Sequence, residues 1–204
     1  MRCRVTIIDA YDSFVHILVS YVRKLDCEVR VLRRDDPDLI AHIGPDACDV
    51  LLLGPGPGHP ADSGYLKLLE HNAGRVPVFG VYLGHQAIAL YYGARLEYAQ
   101  RLMHGKVSRI SHDGKGCFAG LPAEGFDAMR YHSIIVDRDS LGEEIVATAV
   151  SDTDDYLMGL RHAHLPIEGV QFHPESIGTD HGLEIIRNFI QSYHYGQERE
   201  NVAA

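Results

Sequence analysis

Pro77-Val78-Phe79-Gly80-Val81-Tyr82-Leu83-Gly84-His85-Gln86-Ala87-Ile88-Ala89-Leu90-Tyr91-Tyr92 decides how this chain folds. Residues 77–81 form a short apolar run of strand length, and residues 84–92 read as a helix. Gly80 and Gly84 bracket Tyr82 at the junction. Small residues on either side let a strand turn sharply into a helix. The central side chain is then pushed outward, with the following N–H groups facing it. This G-x-Nuc-x-G spacing, placed between strand and helix, is that of a nucleophile elbow.

The neighbouring segments repeat the strand–helix alternation. Residues 5–8 are a β-branched run ending at Asp9. Phe14, Ile17, Leu18, Tyr21, Val22 and Leu25 follow helical spacing and predict one buried face, with Ser13 as N-cap. Residues 28–32 and 49–53 read as strands, with a short helix over 37–43 between them. A Gly/Pro loop over 54–60 leads to a helix marked by Leu66, Leu68 and Leu69. Beyond Gly93, short alternating runs at 106–111, 127–131, 145–150, 156–161 and 168–172 predict antiparallel strands that extend or cover the sheet. A last helix carries Leu183, Ile186, Phe189, Ile190 and Tyr193 on one face, with Thr179 or Asp180 at its start and Gly196 at its end. The expected fold is α/β: an open, mostly parallel central sheet flanked by helices, with added antiparallel strands in the C-terminal half.

The 204 residues, 46% hydrophobic and 23% charged, fit a single domain over 1–196 with a frayed tail over 197–204. Those figures exclude a disordered, collagenous or coiled-coil chain. No apolar run reaches ~18 residues, so no membrane-spanning helix is expected. A net charge of -9 argues against nucleic acid as a partner. The four cysteines have no C-x-x-C pair, and Cys3, Cys27 and Cys48 read as small core residues. The N-terminus reads as a first strand and not as a signal peptide, so a cytoplasmic, reduced protein is expected. His162 and His164 alternate on one strand but have no evident third ligand; neither metal nor cofactor is expected.

Ligands of open α/β sheets bind at the carboxyl ends of the strands, and three segments fall there. The elbow is one. The 54–60 loop is the second: its glycines free backbone N–H groups for an oxyanion, although a tight turn alone would explain them. The third is Gln171-Phe172-His173-Pro174-Glu175-Ser176. There His173 suits a general base with Glu175 holding its tautomer; alone, the pair also fits a surface histidine beside a helix-start carboxylate.

Taken together, the chain resembles the class I, triad-type glutamine amidotransferases, and within them the glutaminase subunit (component II) of anthranilate synthase and 4-amino-4-deoxychorismate synthase. The resemblance runs collinearly from Ile8-Asp9-Ala10-Tyr11-Asp12-Ser13-Phe14 through the loop and the elbow. It continues through Met103-His104-Gly105-Lys106, Arg130-Tyr131-His132-Ser133 and the 169–176 stretch. It implies a thiol nucleophile at the elbow activated by His173 and Glu175, and an oxyanion hole from the backbone of Gly56 and Leu83. It also implies a glutamine pocket from Gly56, Pro57, Gly58, Gln86, Ser133 and Ile134. The implied partner is a larger chorismate-utilising synthase that receives the ammonia.

The departure is Tyr82, which stands where the family has cysteine; Ala10, Ile17 and Gly54 also differ from the family pattern. A thiol with pKa ~8.5 is a few per cent ionised at neutral pH, a phenol with pKa ~10 only ~0.1%. The ring would also fill the space of the glutamine carboxamide, with its hydroxyl within reach of His173. Three readings follow: a subunit that has lost glutamine hydrolysis; an enzyme of altered acyl-transfer or hydrolase chemistry, acting on another small acyl or amide substrate through Tyr82 or water; or an ordinary glutaminase subunit with an engineered Cys-to-Tyr change.

Overall fold

Strands buried on both faces form the middle of the molecule, as a parallel sheet covered by helices requires. The computed structural model describes residues 2–100 and 103–195; the expected helix end at Gly196 and the 197–204 tail lie outside them. β1 (Arg4–Asp9), β3 (Val50–Leu53) and β4 (Val78–Val81) are buried over nearly their whole length. β2 (Glu28–Arg33), largely exposed, forms one edge. The connecting helices are α1 (Val15–Lys24), α2 (Tyr65–Asn72) and α3 (Leu83–Tyr91). The expected helix over 37–43 is a short 3-10 turn, Leu39–His42.

The second half adds β5 (Leu96–Tyr98), β6 (Lys106–His112), β7 (Phe126–Arg130), β8 (Ile134–Val136), β9 (Ile145–Ser151), β10 (Leu157–His162) and β11 (Ile167–Val170), then α4 (Gly182–Ile190). Among the described residues the main sheet has nine strands in the order β2-β1-β3-β4-β11-β10-β9-β6-β7. The first five are mutually parallel and the remaining ladders antiparallel. The fold is therefore α/β with a mostly parallel sheet in its N-terminal half, as expected. β11 corrects one detail. It is antiparallel to β10 yet parallel to β4, with Val170 opposite Val81, so it joins the two halves. β5 and β8 form a small separate sheet. Among the described residues no helix is long and apolar enough to cross a membrane.

Two cores sit on the two sides of the sheet. One joins α1 and α4 through residues such as Leu18, Val22, Ile186 and Phe189, with Phe79 and Phe189 rings 4.9 Å apart. The other joins α2 and α3 through Leu68, Leu69, Leu83 and Ile88. The buried face of α1 differs from the expected one. The helix starts at Val15, so its buried stripe is Val15, Leu18, Val19 and Val22. Phe14 and Ile17 are left 43% and 38% exposed, and Phe14 stacks on Tyr131 at 6.4 Å. Ser13 does not cap α1; the Asp12 carboxylate accepts the Phe14 N–H at 2.7 Å. Neither Thr179 nor Asp180 caps α4, which starts after His181, and Ile185 replaces the half-buried Leu183 on its buried face.

α3 lies unusually close to the sheet. A Cβ on Gly80 would sit 2.6 Å from the Gly84 carbonyl carbon, and one on Gly84 would overlap the Leu53 carbonyl oxygen. Gly84→Ala is therefore expected to lower unfolding stability by about 3 kcal/mol, measured by urea denaturation. Gly142→Ala, whose added methyl would meet its nearest neighbour at 3.5 Å, should change stability by less than about 0.5 kcal/mol.

Candidate active site

The close approach of α3 leaves one residue to turn the chain, and that residue is Tyr82. It has φ 52° and ψ -97°, a left-handed conformation that costs a non-glycine residue about 1–3 kcal/mol. Its N–H donates to the Val170 carbonyl at 2.9 Å, and its own carbonyl accepts the Gln86 N–H at 3.1 Å. The side chain projects from the carboxyl end of β4, as the glycine spacing requires. Leu83 opens α3, so its N–H has no acceptor within the helix. Across the site, Gly56 is pressed against Ala10: an added Cβ would lie 2.5 Å from both the Cβ and the carbonyl oxygen of Ala10.

His173 and Glu175 follow β11, the parallel neighbour of β4, and both are buried. His173 Nδ1 lies 2.7 Å from a Glu175 carboxylate oxygen. Thr179 secures the turn: its hydroxyl donates to the His173 carbonyl at 2.6 Å and accepts the Met129 N–H at 3.0 Å. His173 Nε2 is buried and has no hydrogen-bond partner among the described residues. The Tyr82 ring lies against the His173 ring, centroids 5.0 Å apart and planes 31° apart. The expected hydroxyl-to-imidazole hydrogen bond is absent between these two residues, and ring-to-ring packing stands in its place. Burial, with the Asp12 carboxylate nearby, pushes the Tyr82 phenol above its ordinary value. Burial also raises the Asp12 carboxyl.

Gly56, Pro57, Tyr82 and His173 line one cavity of about 370 Å³, so three strand ends converge as expected. Gly58, Leu83, Gln86, Ser133 and Ile134 are not in its wall. Gly58 is exposed and Leu83 buried beneath the elbow. The Gln86 amide is turned inward, donating to the Ile134 carbonyl at 3.1 Å and to Gln171 Oε1 at 3.3 Å. Ser133 is exposed, and its carbonyl accepts the Ala99 N–H at 2.8 Å. The wall instead includes Tyr11, Asp12, Phe14 and Tyr131. The sequence signal for the first three was their place after β1, at the same sheet end as the other loops. Tyr131 meets His173 edge-on at 5.4 Å and His104 at 5.7 Å.

Behind the site, the fully buried Arg130 bonds Asp154 at 2.9 Å, Ser108, Ser151 and His132 Nε2. Burial and the Arg130 charge push His132 down to about 3, and burial pushes His85 down to about 4. His162 has its Nδ1 engaged by the N–H groups of His164 and Leu165, so it caps a turn.

With this geometry in view, the comparisons with known proteins agree. The model of the class I glutamine amidotransferases matches residues 6–192, and the chain belongs to that family. More particularly, it is 46% identical over 190 residues to aminodeoxychorismate/anthranilate synthase component 2 of Bacillus subtilis, covering 93% of this chain and 96% of that one. It is 42% identical over 187 residues to aminodeoxychorismate synthase component 2 of Escherichia coli, covering 91% and 98%. A solved glutamine amidotransferase of Thermotoga maritima, 16% identical, superposes with a TM-score of 0.70 over 99% of this chain and 86% of that one, and so shows the shared fold.

The two buried histidines set an acid limit. The unfolded chain protonates them near pH ~6.5, whereas the folded chain does so only near 4 and 3. Their depressed values leave stability intact above about pH 6.5 and lower it as the pH falls below that. The expected loss by pH 4 is on the order of 3 kcal/mol per histidine. Denaturant unfolding at pH 7 and pH 4.5 measures it, and His132→Asn should show the smaller acid-induced loss.

Proposed function

We propose that this chain is a component 2-type subunit that pairs with a larger chorismate-utilising synthase but no longer hydrolyses glutamine, leaving the synthase to use free ammonia. The observation that carries this reading is the Tyr82 ring at the elbow, packed against His173 at 5.0 Å. Hydrolysis by this family requires a nucleophile beside the imidazole, and Tyr82 supplies a bulky phenol that burial keeps protonated. All four cysteines are buried, and none lines the cavity, so no thiol substitutes. The relatives named as component 2 support a synthase partner. So do the exposed aromatic side chains of Tyr11 and Phe14 at the mouth of the site, since apolar surface of this kind marks protein contacts.

Altered chemistry through Tyr82 is disfavoured by the same two facts: the phenol is held further from ionisation, and no hydrogen bond links it to the candidate base. What persists is a base clamped by Glu175 and a glycine-lined loop, both supported by contacts that do not depend on residue 82.

Tyr82→Cys is expected to restore nucleophile and space together. Glutaminase activity, read as glutamate released, should rise at least ~100-fold over a wild type near background, most clearly with the synthase bound. An activity present in wild type and abolished in Tyr82→Phe, with an acyl adduct on Tyr82 by mass spectrometry, would show a working tyrosine nucleophile instead. Copurification with a chorismate-utilising synthase tests the partner separately.

A further inference from the structure

At the opposite end of the sheet, the residues just before three parallel strands stand in a row. Cys27 precedes β2, Cys3 precedes β1 and Asp49 precedes β3, in the spatial order β2-β1-β3. The Cys3 carbonyl accepts the Glu28 N–H at 2.8 Å, and the Arg4 carbonyl accepts the Asp49 N–H at 2.8 Å, fixing the register. His194 reaches this row from the turn Gln191–Tyr195 that continues α4. Ligand atoms of Cys3, Asp49 and His194 all lie within 4.8 Å of one another. Cys27 stands beside Cys3 in the same buried cluster, one residue before Glu28, and its thiol lies 3.6 Å from the Leu25 carbonyl, to which it donates.

We propose that Cys3, Cys27, Asp49 and His194 form a binding site for a thiophilic divalent metal ion, of which zinc fits best. Two sulfurs, one imidazole nitrogen and one carboxylate oxygen make the four-donor set that zinc takes in tetrahedral sites. At ordinary zinc–ligand lengths such donors stand about 3.5 Å apart, so Cys3, Asp49 and His194 need only to draw closer, and the Cys27 thiol would leave the Leu25 carbonyl to complete the set. The carboxylate is already aimed by a neighbour: Arg4 donates to Asp49 Oδ2 through its backbone N–H at 2.8 Å and its Nε at 3.2 Å, and to Oδ1 through Nη2 at 2.6 Å. Outer partners of this kind commonly orient metal-binding carboxylates. On binding, both thiols lose their protons to solvent. Two thiolates and a carboxylate are then balanced by one divalent ion and the Arg4 guanidinium. Cys3 is fully buried, but Asp49 and His194 are partly exposed and give the ion a way in. The role is structural: the ion would fasten the C-terminal turn to the floor of the sheet. No C-x-x-C spacing announces the site because its ligands come from four separate elements. The proposal is independent of what the active-site cavity does.

The test uses the full chain, reduced and stripped with chelator, titrated with zinc by calorimetry and with cobalt by absorption. The expected result is one ion per chain, a cobalt–thiolate spectrum of tetrahedral type, and a raised thermal midpoint. Cys3→Ser and His194→Ala should each weaken zinc binding at least ~10-fold, while the exposed His164→Ala should not. Should the core variant Cys3→Ser fail to fold, His194→Ala and Asp49→Asn, at partly exposed positions, give the same reading. Absence of saturable uptake would overturn the proposal. So would uptake undiminished in both His194→Ala and Asp49→Asn, or a Cys3–Cys27 disulfide in a chain that takes up no zinc after reduction.

Discussion

Three glycines let α3 rest directly on the ends of β4 and β11. Besides Gly80 and Gly84, Gly169 faces this contact: a Cβ there would lie 3.1 Å from the Gly80 carbonyl oxygen and 3.2 Å from His85 Cα. With the helix that close, the chain has one residue in which to turn, and Tyr82 takes the positive φ. The strain is offset by burial of Leu83, Ala87 and Ile88 beneath the sheet. The same geometry aims residue 82 at His173, because β11 runs parallel to β4 and ends level with it. The placement of Tyr82, His173 and Glu175 is thus a consequence of one helix-to-sheet contact and one strand pairing.

Much of the machinery around the elbow also holds the fold together. Gln86 ties α3 to Ile134 and Gln171. Thr179 ties the His173 turn to β7. Arg130, with no exposed surface, is neutralised by Asp154 and satisfied by Ser108, Ser151 and His132. Removing either partner of such a buried pair costs several kcal/mol because the other charge is stranded. Selection for folding alone would keep these residues. Their presence is consequently weak evidence for turnover.

The parallel half of the sheet, the elbow and the His173–Glu175 pair were legible because each rests on local pattern: apolar runs, glycine spacing, a base two residues from a carboxylate. What escaped depends on contacts distant in sequence. The rotation of α1 that exposes Phe14 and Ile17 is set by packing against the sheet and α4, with Asp12 bonding the Phe14 N–H in the turn before the helix. β5 and β8 have three residues each, too few to show alternation. The inward turn of Gln86 is decided by the Ile134 carbonyl, 48 positions away. The direction of β11 follows from its hairpin with β10, which leaves it parallel to β4. Local pattern marked the sheet end where the candidate cavity lies, and long-range packing decided which of the expected residues line it.

Residue 82 can change without disturbing this architecture. Its backbone strain is the same for cysteine and tyrosine, since both carry a Cβ, so the exchange adds no conformational cost at the elbow. The partly buried side chain lines the cavity on one side, where an added ring has room and need not force neighbours apart. There the Tyr82 ring packs on apolar groups of both cores and on the His173 face, and burial of that surface favours the folded state. A position that must be strained and outward-pointing for catalysis is for that reason one where catalysis can be lost while the fold, and the surface that a partner would meet, stay intact.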